Sequence, residues 1–366
     1  MTIDFGWFLP TMGDTETVGP PTREATLDYL TRCAKAAEDA GFVFMLVPVG
    51  TTCEDAWLAA TAVAAKTNRM KFLVAMRPGF IAPTVAAKMS NTLDQLSRGR
   101  VLINVVTGGF PHELAADGDF TDHDERYART QEFMQVVRKA WTEPKSWSHE
   151  GTYYKVEKGN VFPKPYQKPC PPWYFGGASD AAKQVGAEET DVYLLWGEPI
   201  PMVRERITDM RERAAKLGRT LRFGIRLLVI ARETDEEARA AAEAMVADVP
   251  ENFEGMMQKH MSGADSEGEK RQRMLREQGD WIGPNLWTGI GRARLGVGLA
   301  IVGSGESVAA RIREYVDEGI DTFIFSGYPH LEESERFGRY VMPHFQRGAY
   351  VASSAAVPPA ALAAAR

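Results

Sequence analysis

The residues best suited to chemistry lie near the C-terminal end, in the run Phe325-Ser326-Gly327-Tyr328-Pro329-His330-Leu331-Glu332-Glu333. Tyr328 and His330 follow an apolar, strand-like segment, Asp321-Thr322-Phe323-Ile324-Phe325. A phenol and an imidazole where a buried strand opens into a loop give one site two groups able to pass protons. The plainer alternative is a turn in which both side chains only satisfy backbone groups. Arg226 lies inside Phe223-Gly224-Ile225-Arg226-Leu227-Leu228-Val229. A guanidinium in an apolar strand is costly unless paired. It is either half of an ion pair with Glu54, Asp55 or Glu198, or a clamp for an oxyanion. Gly176-Gly177-Ala178-Ser179 opens a helix. Free N–H groups and the helix dipole suit a phosphate there, with Ala178 and Ser179 nearest, although glycine also serves as a simple turn. His123 and Tyr127 either belong to a helix start or touch the same ligand. Cys53 reads as a small buried residue rather than a nucleophile, since no His lies near it in sequence.

These groups fall where apolar runs give way to loops. Strands are predicted over Ile3–Leu9, Phe42–Val47, Lys71–Met76, Val101–Val106, Pro172–Phe175, Val192–Leu195, Arg222–Ala231 and Asp321–Phe325, with helical patterns between most of them. One such helix, Arg23–Ala40, is stopped by Gly41. Near-continuous apolar strands imply burial on both faces, as in parallel sheets. Eight such units predict a (β/α)8 barrel, with a doubly wound open sheet as the alternative. In a barrel, chemistry collects at strand C-terminal ends. That places Cys53, Met76, Asn104, Thr107, Trp196 and Arg226 beside Tyr328 and His330. A single domain is expected over 1–348, with insertions at about 143–171 and 250–300 and an Ala/Pro-rich tail at 349–366. The later insertion, with Trp281, Trp287, Arg292 and Arg294 beside flexible glycines, reads as a lid or as a passive surface excursion.

Composition narrows the classes. The chain has 366 residues and a net charge of −6, from 43 basic and 49 acidic residues mixed along its length. A nucleic-acid partner would need a clustered basic face. Three cysteines without paired spacing argue against a disulfide scaffold or a zinc site. No secretory signal or membrane-length apolar run is visible, so a cytoplasmic location is expected.

The chain resembles the flavin-dependent alkanesulfonate monooxygenases of the bacterial luciferase-like family. The likeness is carried by Trp7-Phe8-Leu9-Pro10-Thr11, Cys53-Glu54-Asp55-Ala56-Trp57, Asn104-Val105-Val106-Thr107-Gly108, Tyr174-Phe175-Gly176-Gly177, Trp196-Gly197-Glu198-Pro199, Pro284-Asn285-Leu286-Trp287 and Ser326 to Glu333, in order up to about Phe345. The resemblance implies a barrel with a lid, FMN used as FMNH2 from a separate NAD(P)H:flavin reductase, O2 as co-substrate, and C–S cleavage to an aldehyde and sulfite. It implies that Arg226 and Tyr328 act at the junction of flavin, oxygen and substrate, that Trp196 and His330 line the substrate pocket, that Arg294 is the lid arginine and that Cys53 lies near the flavin. A homo-oligomer is expected. Two departures stand out: Leu228 and Met12 occupy positions where the alkanesulfonate enzymes carry histidines. A sulfonated sugar such as sulfoquinovose is therefore weighed beside alkanesulfonates. Other readings are a deazaflavin (F420)-dependent oxidoreductase on the same barrel and a non-catalytic flavoprotein.

Overall fold

The computed structural model describes residues 2–16, 21–247, 249, 263–292 and 298–346. Eight parallel strands close into a ring: β1 (Asp4–Phe8), β2 (Phe44–Val47), β3 (Lys71–Met76), β4 (Val101–Val105), β7 (Trp173–Gly176), β8 (Val192–Trp196), β9 (Arg222–Arg232) and β13 (Thr322–Ser326). β13 pairs with β1 to complete it, in the register Asp4↔Thr322 to Trp7↔Phe325. The fold is a (β/α)8 barrel, and all eight expected strands are in the ring.

Alternation along the strands sorts the side chains. Phe8, Phe44, Leu46, Leu73, Leu102, Tyr174, Val192 and Ile324 fill the barrel interior. A Cβ on Gly6 would land inside the Phe44 ring, so glycine makes room for that interior side chain. Outward-facing residues pack under the helices: α1 (Leu27–Ala40) buries Leu30, Ala34 and Ala37, and ends at Gly41 with φ 101°. Thr26 caps its first turn.

Three features were not anticipated. The helix α7 (Ile200–Lys216) follows β8. Within 143–171, β5 (Trp147–Glu150) and β6 (Lys155–Gly159) form an antiparallel hairpin. In the later insertion, the helix Glu267–Arg276 agrees with the charged, helical pattern the sequence shows up to Arg276, but the short strands β10 (Trp281–Gly283) and β11 (Leu286–Trp287), leading into β12 (Ala300–Ser304), are new. β12 joins the sheet parallel to the upper half of β9, from Ala300↔Leu228 to Ser304↔Arg232. β9 is thus shared: β8 pairs with it up to Trp196↔Arg226, and β12 takes over two residues later. Arg226 sits where one neighbour ends and the other begins. Residues 250–262 of the later insertion, Arg294 and the tail 349–366 lie outside the described residues.

Candidate active site

Arg226, Trp196, Asn104 and Gly176 share the last inward-facing layer of the ring, and all are half-buried. The Arg226 guanidinium lies 4.7 Å above the Phe8 ring. No carboxylate pairs with it among the described residues, and its Nε is buried without a hydrogen-bond partner. The ion pair expected as an alternative is absent for a visible reason. Glu198 is held by both Arg271 nitrogens at 2.6 and 3.0 Å, Asp55 caps the helix Ala56–Ala64, and Glu54 is exposed. Burial pushes the Arg226 pKa down, against the influence of Tyr328 and Cys53.

Next to it, the Phe8 and His330 rings lie 5.4 Å apart, and the His330 and Tyr328 rings meet edge-on at 4.8 Å. His330 is not in a loop: it starts a helix, His330–Tyr340, and is 2 % exposed. The Trp7 indole N–H donates to its carbonyl at 3.0 Å. Its Nδ1 lies 2.8 Å from Asp14 Oδ1, and its Nε2 is buried without a partner. Ser326 Oγ at the end of β13 is likewise buried and unpartnered. Arg226, Phe8, His330 and Tyr328 therefore form one contiguous wall, as the sequence predicts. Leu228 is fully buried in an apolar cluster with Tyr328, Trp287 and Met245.

The opposite wall is built around α6 (Asp180–Glu189), whose first turn is capped by the Ser179 hydroxyl. Gly176, Gly177, Ala178 and Ser179 are half-buried at its start. A Cβ on Gly177 would overlap Ala182 and approach the Tyr127 hydroxyl to 3.5 Å. Burial raises the Tyr127 phenol pKa, against the influence of the neighbouring Ser179. The His123 ring meets Tyr127 edge-on at 4.9 Å, while its Nδ1 lies 2.7 Å from Asp124. Asn104, Met76 and Thr107 end the adjoining strands, with Thr107 and Thr130 hydroxyls 3.2 Å apart. The Cys53 thiol sits beside Thr11, and burial raises its pKa, so it stays protonated.

Part of the later insertion crosses this end of the barrel. Asp265 N–H donates to Gly109 O at 3.2 Å, and the Asp265 carboxylate pairs with Arg126. Gln272 donates to Gly197 O at 2.9 Å, beside the Arg271–Glu198 pair. Gly268 packs over the Trp196 indole. This segment is tied to the connections that follow β4 and β8, whereas a passive excursion would touch neither.

A family model described as luciferase-like monooxygenase matches residues 3–322. The chain belongs to the luciferase-like monooxygenase family. Among solved structures, a long-chain alkane monooxygenase (LadA) superposes with a TM-score of 0.80 at 22% identity, over 96% of this chain and 93% of that one. EDTA monooxygenase (EmoA) from Chelativorans sp. BNC1 gives 0.76 at 19% identity, over 97% and 96%. A coenzyme F420-dependent tetrahydromethanopterin reductase from Methanopyrus kandleri gives 0.70 at 18% identity, over 94% and 100%. At these identities the likeness is one of fold.

For a luciferase-like monooxygenase, the two walls fit a phosphorylated flavin and a polar substrate. The α6 start offers backbone donors with small side chains, and the facing wall carries buried polar atoms with no protein partner. Sequence reasoning missed Asp14 and Tyr29, which hold His330 from behind. Asp14 is 0 % exposed and accepts the Tyr29 hydroxyl at 2.6 Å. A carboxylate directly after the first strand's loop was the only local signal.

Proposed function

We propose that this luciferase-like monooxygenase is the oxygenase component of a two-component system that desulfonates an organosulfonate. The observation that carries the reading is Arg226: a guanidinium at the barrel mouth with no counter-charge among the described residues, beside an imidazole whose Nε2 has no partner among them. An alkane would leave that charge uncompensated; a sulfonate would compensate it with charge-assisted hydrogen bonds. The overall change is organosulfonate, O2 and FMNH2 to aldehyde, sulfite, FMN and water. Reduced FMN bound between the walls supplies the two electrons that activate O2. Arg226, joined by Arg294, holds the sulfonate; Trp196 forms a side of its pocket. Tyr328 and His330 manage the proton lost from the substrate carbon. The segment from Asp265 to Arg276 excludes water as part of the lid. Ser179, Ala178, Tyr127 and His123 hold the phosphate, with Cys53, Met76, Asn104 and Thr107 along the flavin.

The F420 reading would require cations for an acidic cofactor tail. The cations at the α6 start are already committed, Arg213 to Asp180 and Asp209 and Lys183 to Asp209, which favours FMN. A flavin reductase as partner, a homo-oligomer and a cytoplasmic location go with this reading, and the free thiols Cys33, Cys53 and Cys170 agree with the last.

The test is sulfite release from methanesulfonate, longer alkanesulfonates and sulfoquinovose, with a reductase supplying FMNH2 in air. Sulfite from at least one, matched by aldehyde, is expected. No sulfite from any of them, or F420 bound in preference to FMN, would overturn the reading.

A further inference from the structure

Asp14 has no role in the chemistry described so far, yet it is among the most completely enclosed charged groups of the protein. Its side chain is fully buried, and its carboxylate accepts four hydrogen bonds. Oδ1 faces His330 Nδ1 at 2.8 Å and the Thr15 N–H at 2.9 Å; Oδ2 accepts the His330 N–H at 2.7 Å and the Tyr29 hydroxyl at 2.6 Å. Burial opposes its ionisation, but His330, Tyr29 and Thr15 outweigh that and hold the carboxyl below its ordinary range. Behind Tyr29, Arg23 binds both Glu332 oxygens at 2.8 and 2.9 Å. Among the described residues the network is left open at one atom. The unsatisfied atom is His330 Nε2, buried at the wall that includes Tyr328 and Phe8.

We infer that Asp14 is a positioning residue that fixes the His330 tautomer. A carboxylate only accepts, so in the neutral ring the proton must sit on Nδ1. Nε2 then presents its lone pair to the pocket as a proton acceptor. The inference rests on the proposed site for its catalytic meaning, since it names His330 as the group that takes the substrate proton. The tautomer itself is independent of which substrate binds.

Asn at position 14 is the informative substitution. The two backbone N–H groups, of Thr15 and His330, point one at each oxygen. An amide NH2 must therefore oppose one of them, whichever way it turns. Turned toward Thr15 it also faces His330 Nδ1, and drives the ring proton to Nε2.

Two measurements on the full-length protein decide it. The first is long-range 1H–15N NMR of the imidazole at a pH where the ring is neutral. In the wild type the Nδ1–H form is expected; an Nε2–H form, or a rapidly exchanging mixture, overturns the inference even if no variant folds. The second compares Asp14→Asn with Tyr29→Phe, which removes a hydrogen bond from the same carboxylate but leaves His330 its acceptor. Asp14→Asn is expected to lower kcat by about a hundredfold, with KM and FMN binding little changed. Tyr29→Phe should retain kcat within about threefold, since a single hydrogen bond behind the carboxylate is lost. Equal losses of kcat in the two variants would reduce Asp14 to a structural support. Absence of sulfite release in the wild type would fail the proposed function alone, because the NMR result would still stand.

Discussion

The two walls of the barrel mouth are built on opposite principles. The wall of β9, β13 and β1 is dense, with charged and polar atoms buried and three of them, on Arg226, Ser326 and His330, left without partners. The wall at the start of α6 is half-open and made mostly of small residues, and among its described side chains no buried polar atom is left without a partner. Unsatisfied buried groups are costly to the free protein and are retained where a ligand completes them. A satisfied, glycine-rich turn costs little and suits a group that must arrive and leave with each turnover. Under the proposed function, the contrast goes with reacting atoms at the dense wall and cofactor binding at the open one.

The strongest way to break that contrast is Arg226→Met. Turnover should fall by about two to three orders of magnitude, while FMN affinity stays within about threefold. The same change removes a charge that burial disfavours, so the melting temperature of the free protein should rise by about 1–3 °C. A fall in melting temperature with activity intact would place a hidden partner on Arg226 and dissolve the contrast. Next in size is Gly177→Ala. Its Cβ meets Ala182 in the first turn of α6, and FMN affinity measured by fluorescence quenching should weaken about tenfold with kcat preserved at saturation. Tyr127→Phe removes a phenol hydroxyl from beside Gly177 in the same wall; a change of about fivefold in FMN affinity is expected. Loss of kcat in either of these would mean that the open wall also takes part in the chemistry.

The smallest effect lies outside both walls. Burial opposes ionisation of Asp119, but Arg129 and Thr121 hold its carboxyl down from 3.8 to about 2. A lowered carboxylate contributes stability that is present above the unfolded value and is lost as pH falls toward the folded one. Asp119→Asn should therefore cost no more than about 1 kcal/mol at neutral pH, with the difference vanishing between about pH 4 and pH 2 in acid-unfolding curves.

The ring itself was readable because each of its strands is a continuous apolar run bounded by polar turns. Phe223 to Ala231 even announces its length, and Arg226 stands out by type. The misses have separate causes. In α7, Val203, Ile207, Met210 and Ala214 carry the buried stripe at helical spacing, but Arg and Glu dominate the segment and mask it. β12 is five residues long and follows a glycine-rich stretch, so nothing local separates it from a loop. Arg226 could be read as paired or free from sequence alone, because Glu198 finds Arg271 only when the insertion folds over the barrel. The support of His330 was the least legible part. Asp14 lies 316 positions away from it, and only ring closure brings the two together.

That last contact has a wider meaning for how activity is acquired. The seam between the first and final staves is stitched by Trp7 to His330, Asp14 to His330 and Arg23 to Glu332, and Arg222 of the neighbouring β9 reaches both Asp4 and Asp321. A partly assembled cylinder can have nearly all its helices and still hold an untethered imidazole. Enzymatic turnover is then a reporter of the final zipping step, and two fragments cut between half-barrels should regain it only on rejoining across this edge.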